Sequence, residues 1–370
     1  MAQSESEKRI LDGSLWEEFC ERLKACGKLL EGPDLPQDAF NRALGYRALT
    51  HFLRAGLEAQ VDFSDPEFPA FYRLADETKK MLNDNPDNFY LNCVVDPRFE
   101  YRITGRRGTV PYFSLGSKGG VDASGMSETG SIDSTQIEYA PDGRFEILVS
   151  VRKQPTNWLP MTAETRSIVV RQTFGVRSQE KVTELAIECL NPVRKNNTLR
   201  VERFAPALLG AVDLVKNTVQ LGNLWQSQYK REHLNRLPAH DQAVLRRAGG
   251  DPNIHYYQSY WRLAPDEALL VQLRDIPECD FWNLQLANAW MESFDFRFFR
   301  CSIQKYTAHY EPDGSVQIVA AHEDPGPRYP NWLDTFGHGE GGMLGRYVHA
   351  KSFPPEMPAR VVKLSELRGH

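Results

Sequence analysis

The sequence contains few cysteines for its length, and none of them forms a CxxC pair. Only six of its 370 residues are cysteine, and they lie far apart along the chain: Cys20, Cys26, Cys93, Cys189, Cys279 and Cys301. A zinc knuckle or a disulfide framework needs closely spaced cysteines, so neither is indicated. Most of these thiols are expected to be small buried apolar groups. The expected setting is a reducing cytoplasm.

An excess of positive charge and long apolar runs are also lacking. The chain has 44 Lys and Arg against 49 Asp and Glu, which gives a net charge of −5 and a pI near 6.0. Nucleic acids and anionic membranes are therefore not expected as partners. No apolar stretch reaches the roughly 18–20 residues that a membrane helix needs. The polar segment 1–9 does not resemble a signal peptide.

Three motifs of common cofactor and hydrolase chemistry are missing, namely the Walker phosphate loop, the GxSxG elbow and HExxH. Their absence argues against nucleotide binding through a phosphate loop and against the standard hydrolase and zinc-protease mechanisms. The GxGxxG spacing occurs once, at 337–342, but without the strand–turn–helix context that dinucleotide binding requires. The glycine-rich run 337–342 follows no clear change from strand to helix, so we do not interpret it as a phosphate loop. No cofactor is predicted, and a divalent metal is the less favoured alternative.

What the chain does contain is a pair of helical regions, predicted at 1–85 and 201–250. Apolar residues recur there at the spacing of one helix face, and breakers end each run. The predicted helices cover 14–30, 37–58, 66–83, 205–233 and 240–248.

A β-rich unit follows each helical region, at 86–200 and at 251–350, and 351–370 is predicted to be a tail. Short apolar or alternating runs between turn residues indicate the strands. Residues 116–136 are rich in Gly and Ser and have almost nothing to bury. We therefore predict a long loop there, of the kind that often serves as a lid or a binding loop.

The two β-rich units match each other in sequence. Four segments recur in the same order, and their offset grows from 168 to 174 residues, with each step in a turn, where insertions are tolerated best. The matched segments are 97–103 with 265–271, 113–115 with 284–286, 139–143 with 310–314, and 157–159 with 331–333. The predicted fold class is α+β, with two related β-sandwich-like units, each preceded by helices.

The most specific repeated motif is Asn-Trp-Leu, at 157–159 and within the run 330–338. Together with segment 280–286 and the Tyr-x-Pro-Asp-Gly turn, it resembles domain-of-unknown-function family 1214. The resemblance is clearest over about 255–350 and fainter over 86–175. It implies a β-sandwich that often occurs beside a second β domain, and it implies no activity.

The second unit carries titratable residues that the first unit lacks. We predict His338, His322, Asp334 and Asp324 as catalytic residues; the match places Glu164 of the first unit opposite His338. A histidine beside a carboxylate can act as a general base, and the same groups can ligate a divalent metal. Loop residues that cap strand ends are the third interpretation, and the spacing does not decide among the three.

A second candidate region is the aromatic-rich segment 290–300. Its aromatic rings are predicted to line an apolar pocket, with a few polar groups to orient the substrate. The predicted substrate-binding residues are Trp290, Glu292, Asp295, Arg297 and Tyr310. A core segment with an Asp–Arg pair on its surface is the alternative interpretation.

These residues together predict a small-molecule enzyme. We expect a cofactor-independent acid/base reaction of the lyase or hydrolase type on a partly apolar or aromatic substrate. The alternative is a non-catalytic protein that binds a glycan or a hydrophobic metabolite. The sequence leaves open whether the chain forms a homo-oligomer.

Overall fold

The computed structural model describes residues 4–122, 125–191, 194–195, 199–247 and 249–369. Its first part contains α1 (Glu5–Leu11), α2 (Ser14–Gly27) and α3 (Ala39–Leu57), and the last two confirm the first two predicted helices. The Asp38 side chain accepts a hydrogen bond from the amide of Asn41 and caps the start of α3.

The third predicted helix, over 66–83, is wrong, because this segment folds into turns and contains no helix. The Asp76 carboxylate accepts hydrogen bonds from the amides of Thr78 at 2.7 Å and Lys79 at 2.8 Å. Such local bonds compete with helical ones for the same amides. Pro69 has no amide hydrogen to donate to a helical bond.

Two further helices precede the second β unit, as predicted: α4 (Val201–Glu232) and α5 (Gln242–Arg247). One face of α4 buries Leu208, Val212, Val215 and Val219 against α2 and α3, in a core separate from those of the β units. Among the described residues, no helix has the length and apolar character needed to cross a membrane.

The first β unit is a sandwich of two four-stranded sheets. Its strands are β1 (Asn88–Val94), β2 (Tyr101–Arg106), β3 (Tyr112–Asp122), β4 (Gly125–Asp133), β5 (Arg144–Ser150), β6 (Trp158–Pro160), β7 (Thr165–Thr173) and β8 (Glu184–Cys189). The sheet orders are β1-β7-β3-β4 and β6-β5-β2-β8. Alternate residues of both sheets, among them Ile103, Leu115, Ile147 and Ile168, fill the core between them.

The second β unit repeats this arrangement. A short strand, β9 (Leu237–Pro238), comes first, and the others are β10 (Ile254–Arg262), β11 (Glu267–Leu273), β12 (Phe281–Leu286), β13 (Ser302–Gln304), β14 (Val316–Ala321), β15 (Trp332–Asp334), β16 (Glu340–Val348), β17 (Glu356–Met357) and β18 (Ala359–Lys363). The sheet orders are β10-β16-β12-β13 and β15-β14-β11-β18, which match those of the first unit strand for strand. The α+β fold with two related sandwiches is therefore confirmed.

Two predictions about irregular regions are wrong. The Gly/Ser-rich segment 116–136 is mostly the hairpin of β3 and β4. Its small residues let neighbouring backbone approach closely, since a Cβ on Gly130 would collide with the carbonyl oxygen of Pro160.

The predicted tail contains β18, which pairs with β11, and the helix α6 (Leu364–Arg368). Val362 and Leu364 are buried there, so this segment completes the second unit.

The repeated Asn-Trp-Leu motif has the same role in both units, as its asparagine shows. The Asn157 side chain donates to the carbonyl oxygen of Glu138 at 2.9 Å and accepts from the amide of the same residue at 2.8 Å. Asn331 forms the same two bonds with His309, at 2.8 and 2.7 Å. Each amide therefore ties the motif to the turn before it.

The tryptophan of the motif also occupies the same place in both units. The indole nitrogen of Trp158 donates to the carbonyl oxygen of Ser150 at 3.0 Å, and that of Trp332 donates to the carbonyl oxygen of Ala321 at 3.1 Å. In both units the motif forms a short strand parallel to its neighbour, β6 beside β5 and β15 beside β14. The internal duplication is therefore confirmed down to individual hydrogen bonds.

Candidate functional site

A cavity of about 260 Å³ lies between the two β units and is called the inter-unit cavity below. Alternate residues of β1, β7, β10 and β16 line it, because successive side chains of a strand point to opposite faces. On β1, Asn88, Tyr90 and Asn92 face the cavity, whereas Cys93 belongs to the core of the first unit. Two sheets thus turn one face to their own core and the other face to the cavity.

The inter-unit cavity contains two tyrosine–arginine pairs at equivalent positions. Tyr90 on β1 is the register partner of Arg171 on β7, and Tyr256 on β10 is the register partner of Arg346 on β16. All four side chains line the cavity. Directly paired residues of antiparallel strands share a face and lie close together. The duplication therefore places one pair on each of the two sheets.

Each tyrosine hydroxyl is anchored to the segment that precedes its own strand. The Tyr90 oxygen accepts a hydrogen bond from the Asn85 amide at 3.0 Å, and the Tyr256 oxygen accepts one from the Asp251 amide at 2.9 Å. Burial raises the pKa of Tyr256 to about 12, so this hydroxyl keeps its proton at neutral pH.

The two arginines reach across to the opposite unit. The Nη2 atom of Arg346 donates to the carbonyl oxygen of Asn83 at 2.8 Å, just before the first unit begins. The Nη2 atom of Arg171 donates to the carbonyl oxygen of Gly249 at 2.6 Å, just before the second unit begins. Both acceptor residues have left-handed backbones, with φ of 52° for Asn83 and 92° for Gly249. Each unit therefore donates one equivalent arginine hydrogen bond to the other, as expected for two duplicated units.

Neither arginine forms an ion pair with a carboxylate in the part of the chain that the structure describes. Arg346 is 4% exposed and also donates to the side chains of Asn283 and Gln285. Burial lowers the pKa of Arg346. Burial also opposes the charge on Arg171, but its neighbours, among them the carboxylate of Asp251, favour it, and its pKa is raised on balance. Both guanidinium groups are charged at neutral pH.

The acidic groups near the cavity are already bound elsewhere. Asp84 lines the cavity, but its carboxylate accepts two hydrogen bonds from Ser293 and lies 3.7 Å from the ammonium of Lys80. Asp87 accepts hydrogen bonds from the side chains of Asn283 and Ser302, and burial raises its pKa. These carboxylates and that of Asp251 favour the charges of the two arginines from a distance, but none of them forms an ion pair with either guanidinium.

Asn83 contributes an amide with no partner. Its side chain lines the cavity and is 9% exposed, and within the described residues neither Oδ1 nor Nδ2 forms a hydrogen bond. Its backbone is fixed on both sides, by Arg346 and by a bond from its own amide to the carbonyl oxygen of Met291 at 2.6 Å. A buried amide left unpaired costs about 1–3 kcal/mol, which a ligand that bonds to it would offset.

The helix α4 covers the other side of the inter-unit cavity. Five of its residues face the cavity at the spacing of one helix face: Leu214, Asn217, Thr218, Leu221 and Trp225. Leu245 from α5 adds to this wall. The cavity therefore has an apolar wall of helices opposite a polar wall of sheets.

His338, the first of the predicted catalytic residues, lies away from this cavity. Its ring is stacked on Phe294, with centroids 4.7 Å apart, and is 5.0 Å from the ring of Phe40. It is buried, its Nδ1 atom has no hydrogen-bond partner among the described residues, and burial lowers its pKa to about 4. At neutral pH this imidazole is uncharged.

The other predicted catalytic residues do not join His338 in one hydrogen-bonded group. The Nδ1 atom of His322 lies 2.7 Å from the hydroxyl of Thr335, and its Nε2 atom 3.4 Å from the carbonyl oxygen of Leu263. Asp324 and Asp334 line an open groove on the second unit, and each caps a nearby backbone amide. No cluster of three metal-ligating side chains occurs in the described ranges.

The predicted substrate-binding residues are separated in the structure. Trp290 belongs to the helical core and donates to the carbonyl oxygen of Asn41. Glu292 is buried, with Oε1 2.7 Å from Nδ1 of His51. Both residues therefore join the second unit to α3.

The remaining three lie at the surface of the second unit. Asp295 and Arg297 form an exposed pair with each other at 2.6 Å. The hydroxyl of Tyr310 donates to the carbonyl oxygen of Lys305 at 2.9 Å, as Tyr139 does with Ser134 in the first unit. Tyr310 therefore has a structural role that the duplication repeats.

Sequence reasoning missed the residues that line the inter-unit cavity. With the exception of Tyr310, the predicted site residues lie where the two units differ. The available signal was a further match: Tyr90 and Tyr256 lie 166 residues apart, and Arg171 and Arg346 lie 175 apart, close to the offsets of the recognised segments. A repeated arginine on a strand with a polar outer face is unusual for a packing position.

The chain is similar to one protein family and to two solved structures. A family model described as "Protein of unknown function (DUF1214)" matches residues 120–173 and 265–351, one region in each β unit. The crystal structure of an uncharacterized protein from Burkholderia cenocepacia is 41% identical, with a TM-score of 0.93 over 97% of this chain and 99% of that chain. A crystal structure from Vibrio parahaemolyticus is 12% identical, with a TM-score of 0.47 over 86% of this chain and 98% of that chain. No curated protein matches.

Proposed function

Because the chain belongs to the DUF1214 family, whose description gives no activity, we propose a function from the inter-unit cavity: the protein binds a small, largely apolar molecule there. The proposal rests on the two different walls of the cavity, one mostly apolar and one polar. Leu214, Leu221 and Trp225 of α4 face the polar outer faces of two sheets. Ligand pockets typically combine a mostly apolar lining with a few convergent polar groups.

The position of the cavity supports the same proposal. It lies where the two β units meet under α4, and ligand sites occur preferentially at such interfaces. Its polar residues are fixed by bonds to the backbone of both units, as with Arg171 to Gly249 and Arg346 to Asn83. Binding groups held in place before the ligand arrives reduce the entropic cost of binding.

The proposal is tested by filling the cavity. Thr218 of α4 faces it, and Thr218→Trp would occupy part of its volume. Gln220, two residues further on the same helix, is exposed, and Gln220→Trp is the matched control. Octanoate, octan-1-ol and octylamine serve as apolar probes of different charge, and binding is read as a rise in Tm and by calorimetry.

We expect at least one of these probes to raise the Tm of the wild-type protein and of Gln220→Trp. The same probe should leave the Tm of Thr218→Trp unchanged, because the indole takes the place of the ligand. If none of the three stabilises the wild-type protein, or if Thr218→Trp responds as strongly as the control, the cavity is not the binding site.

Acid/base catalysis of the lyase or hydrolase type, centred on His338, is the second candidate. One observation favours it: the imidazole is neutral, and its Nδ1 atom has no partner among the described residues. A neutral imidazole is the form that accepts a proton. His338→Phe keeps a ring against Phe40 and Phe294, so it should abolish hydrolysis of a panel of aromatic esters without lowering the Tm at neutral pH. Unchanged hydrolysis would exclude this role.

A further inference from the structure

The charged groups around the inter-unit cavity identify the chemical class of its ligand more closely. We infer that the ligand carries a carboxylate, which is bound by the guanidinium groups of Arg171 and Arg346 and by the side-chain amide of Asn83. This inference rests on the proposed binding function and adds one anionic group to the ligand.

The first support is the bonding capacity that the arginines have left. A guanidinium has five N–H donors. In the described part of the chain, Arg171 uses one of them, for the carbonyl oxygen of Gly249, and all of the acceptors of Arg346 are neutral. Asp251 favours the charge of Arg171, and Asp84 and Asp87 favour that of Arg346, but none of the three pairs directly with a guanidinium. A buried cation without a directly paired anion is costly. A ligand carboxylate would supply that anion.

The second support is independent of charge. The Asn83 amide is nine-tenths buried, lines the same cavity and lacks a partner among the described residues. The equivalent position in the second unit is Gly249, which has no side chain and also has a left-handed backbone. The amide is therefore not needed to form this turn. An N–H donor that lines the same cavity as two guanidinium groups suits a carboxylate oxygen.

A singly charged group fits the cavity better than a phosphate. A phosphate monoester carries a charge of about −1.5 to −2 at neutral pH. Asp84 also lies in the lining, and although Ser293 and Lys80 contact its carboxylate, it disfavours a group that carries more than one negative charge. The remainder of the lining is dominated by Leu and other apolar side chains from α4 and α5, which suits the apolar body of an acid rather than a polar headgroup.

The test compares ligands that share a chain and differ in one end group: octanoate, octan-1-ol, octylamine and octyl phosphate. Calorimetry should give octanoate an affinity at least about tenfold higher than that of the alcohol, since a hydrogen bond to a charged group is worth about that factor. The amine should bind more weakly than the alcohol, because it would face two cations. Octanol binding as tightly as octanoate would overturn the carboxylate assignment and leave the binding function intact.

Three variants locate the carboxylate. Asn83→Gly copies the residue of the other unit, preserves the turn and should weaken octanoate binding by about threefold to tenfold while leaving octanol unchanged. Asn83→Asp should weaken octanoate further by repulsion. Arg171→Gln, which retains a donor for Gly249, should remove most of the preference for octanoate over octanol. Equal effects of Asn83→Gly on acid and alcohol, or a preference for octyl phosphate, would contradict the inference.

Discussion

The two β units have the same sheet order and the same hydrogen bonds from their Asn-Trp-Leu motifs, but they differ in where their polar residues lie. On the faces that meet at the inter-unit cavity, both units present a tyrosine and an arginine in register. Away from it, the second unit has a buried His338 where the first unit has an exposed Glu164. In this duplication the tyrosine–arginine pairs that line the cavity are shared, Asn83 is added to them by one unit only, and the unshared His338 packs between aromatic rings.

The largest effect is expected from truncating the two equivalent arginines, which are not equally bonded. Arg346→Ala removes bonds to the backbone of Asn83 and to the side chains of Asn283 and Gln285, all buried, and should lower the free energy of unfolding by about 3 kcal/mol or more. Arg171→Ala removes the bond to Gly249 and should cost roughly 1 kcal/mol. Urea unfolding measures both. A larger loss for Arg171→Ala would contradict the described asymmetry.

The second effect depends on pH and sharpens the contrast between His338 and its counterpart. The folded pKa of His338 is about 4, below the ordinary value of 6.5, because burial disfavours the charged ring. As pH falls from about 6.5 to about 4, the unfolded chain binds the proton and the folded chain does not, so the free energy of unfolding falls. The loss from this residue is at most about 3 kcal/mol.

His338→Phe keeps the ring contacts with Phe40 and Phe294 and removes the titrating group. Its free energy of unfolding should therefore decline less than that of the wild-type protein between these pH values, with little difference at pH 8. Urea unfolding at several pH values checks this. Parallel pH profiles for the two proteins would show that His338 is not held neutral in the folded state.

The smallest effect tests whether the units are equivalent. Trp158→Phe and Trp332→Phe each remove one indole hydrogen bond to the neighbouring strand, so each should lower the free energy of unfolding by about 1 kcal/mol. The two losses should agree within about 0.5 kcal/mol, and they should add in the double variant because the sites are far apart and share no partner. A neutral result for either tryptophan would break the equivalence.

The fold was largely predictable because its signals are local and repeated. The two long helices follow from apolar spacing, and the duplicated Tyr-x-Pro-Asp-Gly turn and Asn-Trp-Leu motif identify two related sandwiches. The β3–β4 hairpin was missed because its Gly and Ser residues have no apolar alternation. These small residues leave room for close contacts, such as that of Gly130 with Pro160, and such contacts exist only in the tertiary structure.

The inter-unit cavity was not predictable in the same way. Its walls come from four strands and a helix that lie far apart along the chain, and residues such as Asn83 and Arg346 meet only when both units are in place. The alternation of Asn88, Tyr90 and Asn92 on β1 is ordinary for a strand with a solvent-exposed face. Only the opposing sheet and α4 turn that face into the wall of a cavity.

The central claim is that the shared faces of the two units enclose one binding site for an apolar carboxylic acid. A crystal structure of the protein with octanoate tests this most directly. We predict that the acid occupies the inter-unit cavity, with its carboxylate within hydrogen-bonding distance of Arg171 or Arg346 and of the Asn83 amide, and with its chain against Leu221 and Trp225 of α4. An empty cavity at saturating octanoate, or a carboxylate directed toward α4, would contradict the account.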